Sequence, residues 1–477
     1  MNANDMAQSI NDDFVLRHRE DDVRKLALKK MPPGVDALWC MQQIEGWQLA
    51  RRKLPRWALT EGLYYPPRIS MEQCSSEQTA LYKRRLVQRL LEGEGAGEAA
   101  FADLTGGFGI DFSYLASLFR RAVYVERQAH LCDIARHNFH ALGLHHAEVV
   151  NEEVSATSRV LGSAFFLLFL DPARRDGAGR KVVALEDCMP NLVELQHVLC
   201  RHARFVLVKL SPMLDIRQAL RQLRGVVEVH VVSVQGECKE LLLLVDSRQD
   251  SSENPAYFCA DLPASSQPAP SSSPGASVPE EPGGSLLCVP EEPGGSMFCV
   301  PPAGSSLPSA VGSCLVLDRS DLRAPRDSSA SLLPGFHESK APLDLSCILS
   351  AVTSPEGETE LYLYEPNASV LKAGVQDALP DYFPVQKIHR QSNLFVSREF
   401  LPTFPGRGFR ILSVGDFSKR SLKVQLKDIV KANLTLRNFP GTVEALRRQL
   451  KLKEGGEDYL FATTWADGQH VLVRCRK

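Results

Sequence analysis

Three patterns of apolar and polar positions succeed one another along the chain. Through residues 1–97, apolar residues recur at helical spacing, as in PPGVDALWCMQQIEGWQLARRKLP and SSEQTALYKRRLVQRLLEGEG. The second stretch has Ser75 or Ser76 at a capping position and stops in Gly-rich sequence. Over residues 98–250, short apolar stretches alternate with helical ones: AFADL, AVYVE, EVVN, FFLLFLD, FVLVKL, VEVHVVSV and ELLLLV read as strands. FFLLFLD is almost continuously apolar, as a parallel strand buried on both faces must be. Alternation of this kind predicts a doubly wound α/β sheet.

The last two predicted strands are separated only by QGECK. So short a link cannot make a parallel crossover, so the pair must be an antiparallel hairpin. A Rossmann-like parallel sheet that ends in such a hairpin is the arrangement of class I methyltransferases. Dinucleotide dehydrogenases normally continue with helical crossovers instead. The rest of the chain predicts two small α+β regions, 251–395 and 396–477, the second closing in a hairpin. The first is interrupted at about 264–313 by Ser, Pro and Gly around a tandem eleven-residue repeat, VPEEPGGSLLC then VPEEPGGSMFC. Two such copies cannot bury a stacked core, which predicts a disordered insertion.

Charge changes the picture more than composition does. The chain of 477 residues has a net charge of −2, but from Phe383 onward 18 Lys/Arg stand against 8 Asp/Glu. A basic terminal region on an acidic body points to an anionic partner held at that end. The start, MNANDMAQSI, is not a secretory signal, and the apolar runs are too short to span a bilayer. Twelve cysteines include no CxxC pair, so no metal site is indicated and a reducing cytoplasm is expected.

FADLTGGFGIDF follows the first sheet strand and opens a helix. Its spacing, Asp103-x-Thr105-x-Gly107-x-Gly109, resembles the acid-x-Gly-x-Gly-x-Gly signature of S-adenosylmethionine (SAM) binding, with Thr105 in place of the first glycine. Gly107 and Gly109 let the main chain pass close to a ligand, and Asp103 suits an ammonium group. Glu126, at the end of AVYVE, is placed to accept from ribose hydroxyls. Glu152 and Glu153, after EVVN, fall where an adenine would lie. A nicotinamide cofactor fits poorly, because Phe112 occupies the third glycine position.

With these stretches in hand, the chain resembles the Bacteroidetes class I methyltransferases that carry a ferredoxin-like and a THUMP-like domain after the catalytic one. The matching segments include MEQCSSEQTALYK, DLTGGFGIDF, LDPARRDG, VKLSPMLDI, ECKELLL, YLYEPNASVLKAG and LRNFPGTVEALRRQLKLKEGG. They span nearly the whole chain apart from the insertion. The resemblance implies a SAM-dependent methyltransferase acting on RNA and leaves the target open.

Methyl transfer from a sulfonium is an in-line displacement, so the enzyme must align the acceptor and take its proton. In this fold the end of the fourth strand faces the methyl group, and there stands Asp171-Pro172. Enzymes that methylate exocyclic base nitrogens often have Asp/Asn-Pro-Pro and an aromatic at this point. Here Ala173 and Arg174 follow instead, which departs from base stacking. A second arrangement matches the Lys-Asp-Lys-Glu set of ribose 2′-O-methyltransferases: Lys83, Asp171, Lys209, and Glu237 or Glu240. There a lysine of lowered pKa would deprotonate a hydroxyl. Both stay open, with Asp171 and Lys209 as the catalytic candidates and Lys83, Arg174 and Arg175 at the substrate, the arginines suited to a phosphate. Phe439 in LRNFP and the lysines of EALRRQLKLK are candidates for RNA contact. The alternatives are SAM-dependent transfer to a small molecule or protein, and a non-catalytic SAM-sensing or RNA-binding protein.

Overall fold

A computed structural model of the chain describes residues 3–94, 99–174, 185–252, 255–264, 296–300, 314–316 and 360–477. These fall into two compact units: Met1–Gln235, Lys239–Pro255 and Leu262–Gly295 form the first, and Gly236–Cys238, Ala256–Asp261 and Ser296–Lys477 the second. No described helix is long and apolar enough to cross a membrane.

The first unit begins with helices α1 (Ala3–His18), α2 (Val23–Ala27), α3 (Ala37–Lys53), α4 (Pro55–Leu59), α5 (Arg68–Gln73) and α6 (Glu77–Glu94). Capping by Asp22 and Asp36 starts α2 and α3, their carboxylates accepting from the first free backbone N–H groups. Sheet strands and helices then alternate: β1 (Ala100–Asp103), α7 (Ile110–Ala116), β2 (Arg121–Glu126), α8 (Ala129–Ala141), β3 (Ala147–Asn151) and β4 (Phe165–Leu170). A two-residue ladder, β5 (Ala173–Arg174) with β6 (Cys188–Met189), precedes α9 (Leu192–His202), β7 (Ala203–Leu210), α10 (Ile216–Gln222), β8 (Val226–Val234) and β9 (Glu237–Asp246).

Across the sheet the order is β8-β9-β7-β4-β1-β2-β3. Neighbours from β7 to β3 run parallel, and β9 runs antiparallel to β7. Between β8 and β9 the chain turns at Gln235 and Gly236, both at positive φ (51° and 76°), as a two-residue hairpin of the primed type requires. The alternation and terminal hairpin expected from the sequence are therefore present. This order places the C-terminal ends of β1, β4 and β7 side by side, with the N-terminal end of antiparallel β9 at the same edge. The helical region packs on the sheet's own helices: Asn138 of α8, fully buried, exchanges two 2.8 Å hydrogen bonds with the Tyr64 backbone. Trp57 meets Phe108 edge-on at 5.0 Å.

In the second unit, β10 (Ala256–Leu262) pairs antiparallel with β11 (Ser296–Val300), which pairs in parallel with β12 (Cys314–Val316). Within the expected insertion at about 264–313, only Ala264 and Ser296–Val300 are among the described residues, the latter forming β11. A seven-stranded sheet follows, built from β13 (Tyr362–Pro366), β14 (Gln386–Lys387), β15 (Phe395–Ser397), β16 (Gly406–Asp416), β17 (Asn433–Arg437), β18 (Asp458–Thr464) and β19 (His470–Arg476) in the order β14-β15-β13-β16-β19-β18-β17. Helices α11 (Ala368–Ala373), α12 (Leu379–Tyr382), α13 (Lys419–Gln425) and α14 (Val443–Leu450) connect these strands. The division expected at 395/396 runs through β15, whose neighbour β13 also pairs with β16, so both small regions share one continuous sheet. The closing hairpin, β18 with β19, is as the sequence predicts.

Candidate active site

A cavity of about 1120 Å³ opens at the C-terminal edge of the first unit's sheet. Asp103, Thr105, Gly107 and Gly109 line it after β1, Glu126 after β2, Glu152 and Glu153 after β3, Asp171 after β4 and Lys209 near the end of β7. The sequence thus brings every proposed cofactor residue and both catalytic candidates to one cavity. Strand-helix turns converge at this edge because parallel strands share one direction.

The Gly-rich turn is shaped by backbone angle and by packing. Gly107 and Gly109 have φ of +54° and +84°, where a side chain would be strained. A Cβ on Gly106 would lie 2.1 Å from the Tyr124 ring, so the turn fits tightly against β2. Gly107 N donates to Glu126 Oε2 at 3.0 Å and Gln128 N donates to Oε1 at 2.8 Å, fixing the carboxylate at the cavity wall. Asp103 is buried and accepts from Thr105 N at 3.0 Å. Burial pushes its carboxyl well above the usual range, and Asp111, Asp171 and Glu126 push it further, against the pull of that hydrogen bond. Thr105 Oγ1 accepts from Asp171 N at 2.6 Å, tying the end of β4 to the Gly-rich turn.

Behind the cavity floor lies a buried charge cluster. Lys209 Nζ donates to Asp171 Oδ2 at 2.7 Å and to Ser75 Oγ at 3.0 Å, with Asp111 Oδ2 at 3.7 Å. Lys83 Nζ reaches Glu240 Oε2 at 2.5 Å, Asp111 Oδ1 at 3.1 Å and Ser75 Oγ at 3.2 Å. Ser75, in the link between α5 and α6, donates to Asp111 Oδ2 at 2.6 Å. One hydroxyl can donate once and accept twice, so Ser75 is fully used between the two lysines.

The Lys-Asp-Lys-Glu spacing therefore does assemble, with Glu240 rather than Glu237 as its glutamate. Lys83 has a fully buried side chain, pairs with Glu240 and Asp111, and is not among the residues lining the cavity. Nor is Lys209 a lysine of lowered pKa. Burial pulls it down, but Asp171, Glu240 and Asp111 outweigh that and raise it above the ordinary lysine value. Burial likewise pushes the Asp171 carboxyl up, against the opposing pull of Lys209. The Asp171 side chain keeps 39% of its surface exposed, whereas Lys209 keeps 11%.

Arg174 contributes backbone to the β5–β6 ladder, and Arg175 lies outside the described residues. Glu153 is exposed at the rim, 3.8 Å from Arg127. Glu152 is the more notable of the two acids there: its Oε2 is buried and has no hydrogen-bond partner among the described residues. Ser75 and Asp111 escaped the sequence reading. Ser75 is indistinguishable from a helix cap until contacts at separations of 36 and 165 residues are known. Asp111, two residues after Gly109 in the first turn of α7, had a positional signal that went unused.

In the second unit, Phe439 is half-buried, packed against Phe417 at 4.8 Å and His470 at 5.1 Å. Lys451 and Lys453, which follow α14, are exposed.

Residues 406–477 match the THUMP domain-like family, and residues 362–405 a ferredoxin-like domain family. Along its whole length the chain is similar to the crystal structure of a putative methyltransferase from Porphyromonas gingivalis W83, with 27% identity, TM-score 0.72, and coverage of 100% of this chain and 99% of that one. Two shorter likenesses are to a hypothetical protein of Thermus thermophilus (19% identity, TM-score 0.28, 39% of this chain and 92% of that one) and to the T. thermophilus 16S rRNA N2 G1207 methyltransferase (17%, 0.29, 36% and 44%). No curated protein sequence matches the chain. The sheet topology, the two C-terminal family matches and the end-to-end likeness agree: the chain is similar along its whole length to a methyltransferase and carries a ferredoxin-like and a THUMP-like region at its C-terminal end.

Proposed function

We propose that this methyltransferase uses SAM to methylate RNA, with the cofactor in the cavity of the first unit and the basic second unit engaging the polynucleotide. The observation that carries the cofactor assignment is the charge of the cavity wall, where seven carboxylates stand against three cations among the described lining residues. Such a wall suits a ligand carrying an ammonium and a sulfonium against one carboxylate, and burying those acids without a cation is unfavourable. Asp103 would face the ammonium group, and Glu126, already oriented by two backbone N–H groups, keeps lone pairs for ribose hydroxyls. Glu152 Oε2 offers an acceptor to the adenine amino group.

When bound, SAM supplies an electrophilic methyl group. The chain's own contribution is to fix Asp171 at the acceptor's position through Thr105 and Lys209 and to hold the acceptor's proton there. The RNA assignment is supported by the THUMP-like match and by the excess of basic residues from Phe383 onward.

The test is calorimetric titration with SAM, followed by transfer of labelled methyl groups to total RNA. Glu126→Gln is expected to weaken SAM at least about tenfold, the loss of roughly 1.4 kcal/mol in charge-assisted hydrogen bonding. Undiminished SAM affinity in Glu126→Gln and Asp103→Asn would remove the cofactor assignment, and label found only in protein or small molecules would remove the RNA assignment.

A further inference from the structure

Resting on the reading above, we propose that the acceptor is an uncharged exocyclic amino nitrogen of a nucleobase, its N–H presented to Asp171, and not a hydroxyl group. The proposal starts from the surroundings of Lys209. Its ammonium donates two hydrogens, to Asp171 Oδ2 at 2.7 Å and to Ser75 Oγ at 3.0 Å, and forms an ion pair with Asp111 Oδ2 at 3.7 Å. Ser75 accepts from Lys209 and cannot donate to it, because its one hydrogen is directed to a carboxylate, Asp111 Oδ2 at 2.6 Å with Glu240 Oε1 at 3.2 Å. The charged groups facing this point are Asp171 from the end of β4, Asp111 from α7, Glu240 from β9 and Lys83 from α6. Two ammonium groups thus share three carboxylates.

An amine acting as base must give up a hydrogen and offer a lone pair. Loss of a proton from Lys209 would leave Asp171, Asp111 and Glu240 with the single ammonium of Lys83 between them in a buried site. The cluster holds Lys209 as an ammonium, and its raised pKa agrees. The remaining group at the methyl-facing strand end is the Asp171 carboxylate, 39% exposed.

A carboxylate is a weak base. A neutral hydroxyl is a poor nucleophile and must lose its proton before or during attack, which calls for a strong base. An amino nitrogen is a better nucleophile while neutral than a hydroxyl, and a carboxylate that accepts its N–H hydrogen bond increases that tendency. The step balances without a strong base. The nitrogen lone pair forms the N–C bond as the carbon–sulfur bond breaks, and the sulfonium's charge passes to nitrogen as the thioether leaves neutral. The acidified N–H then yields its proton to Asp171, which returns it to solvent.

The wall charge points the same way. A phosphate drawn into a cavity with seven carboxylates to three cations would be repelled, whereas an uncharged base edge enters without that penalty. An RNA strand would therefore keep its phosphates outside and extend one base inward.

Two measurements test this. RNA from a strain deleted for this gene is incubated with the full chain and deuteromethyl-SAM, digested to nucleosides and analysed by fragmentation mass spectrometry. Label on an exocyclic amino nitrogen of a base is the expected result. Label on a ring nitrogen, a ribose oxygen or a base carbon overturns the amino-nitrogen assignment while leaving the RNA methyltransferase reading intact. Absence of label from all RNA overturns that reading, and this proposal with it. Independently of turnover, the Lys209 ε-carbon resonance in 13C-lysine-labelled protein, assigned with Lys209→Met, is followed with pH. It is expected to titrate above the ordinary lysine value of about 10.4. Titration below that value would make Lys209 an available base and overturn the proposal.

Discussion

Lys209 Nζ lies 2.7 Å from Asp171 Oδ2, joining the ends of two neighbouring parallel strands, β7 and β4, at the cavity floor. The pair fixes which oxygen of Asp171 is occupied and leaves the rest of the carboxylate toward the cavity. Asp171→Asn keeps the shape and a hydrogen-bonding oxygen but removes the negative charge that takes the acceptor's proton. Turnover is expected to fall about 10²- to 10⁴-fold, the range for losing a positioned proton acceptor. SAM affinity, measured by calorimetry, should change less than about threefold, close to 0.7 kcal/mol. Full-rate turnover in this variant would remove Asp171 from the chemistry.

Thr105 acts on the same carboxylate through the backbone. Its hydroxyl accepts from Asp171 N, so it sets where β4 ends and where the side chain begins. Thr105→Val preserves shape and leaves that buried N–H unpaired, a loss of about 1–3 kcal/mol. The expected result is a decrease of roughly 5- to 150-fold in kcat with little change in SAM affinity. A decrease confined to SAM affinity would instead make Thr105 a cofactor contact.

Lys83 is expected to act on stability, because its partners are buried carboxylates. Its fully buried ammonium is shared by Glu240 and Asp111, whose side chains are 5% and 9% exposed. Lys83→Met leaves both carboxylates short of a partner, and breaking a buried pair this way costs about 3–5 kcal/mol. Urea denaturation should show the loss as a lower midpoint at unchanged slope. Lys83→Met combined with Glu240→Leu should recover part of it, because the strongest uncompensated charge is then gone.

These contacts show what could be read along the chain and what could not. FFLLFLD became β4 because continuous apolar sequence identifies a strand covered on both faces, and the short QGECK link required antiparallel pairing. Asp103, Gly107, Gly109 and Glu126 were legible because strand-end acids and turn glycines occur at short sequence separation. Ser75 was not, since its role exists only when α6, α7, β7 and β9 are brought together. The electrostatic surroundings of Lys209 are not legible along the chain for a related reason. Burial alone predicts a lowered pKa, and the opposing carboxylates come from three separate segments.

The same cluster sets the response to acid. Burial pushes Glu240 up, but Lys83 and Lys209 pull harder, and its pKa falls from the ordinary 4.5 to about 2. A carboxyl depressed in the folded state contributes stability above its unfolded value, and that contribution disappears as pH falls through the folded one. Stability should therefore decline between pH 4.5 and about 2 through this group. Denaturant midpoints of Glu240→Gln should lie well below those of the parent at neutral pH, with the gap closing across that window. Asp103 has the opposite sign, since its carboxyl is raised on folding and opposes stability once pH exceeds its ordinary 3.8. Asp103→Asn is expected to gain stability at neutral pH while losing SAM, the exchange expected where a site stores unfavourable charge for a ligand.

The RNA assignment makes its own demand on the second unit. Lys419, Arg420 and Lys423 of α13, and Arg448 of α14 with Lys451 and Lys453 beyond it, are exposed. If they neutralise phosphates, log affinity for RNA should fall linearly with log salt, by about 0.7–0.9 for each phosphate neutralised. Lys451→Glu with Lys453→Glu in the full chain should weaken binding across unrelated RNA sequences and flatten that slope by about 1–2. Phe439→Ala is the contrasting variant. Its ring is held by Phe417 and His470, so removing it should lower the midpoint of unfolding by an amount typical of a core Phe, up to about 3–5 kcal/mol. The salt slope should be unchanged in that variant while the protein remains folded, because no phosphate contact has been removed. Equal slopes in the parent and the double-Glu variant would place the phosphate contacts on a different face of the basic unit.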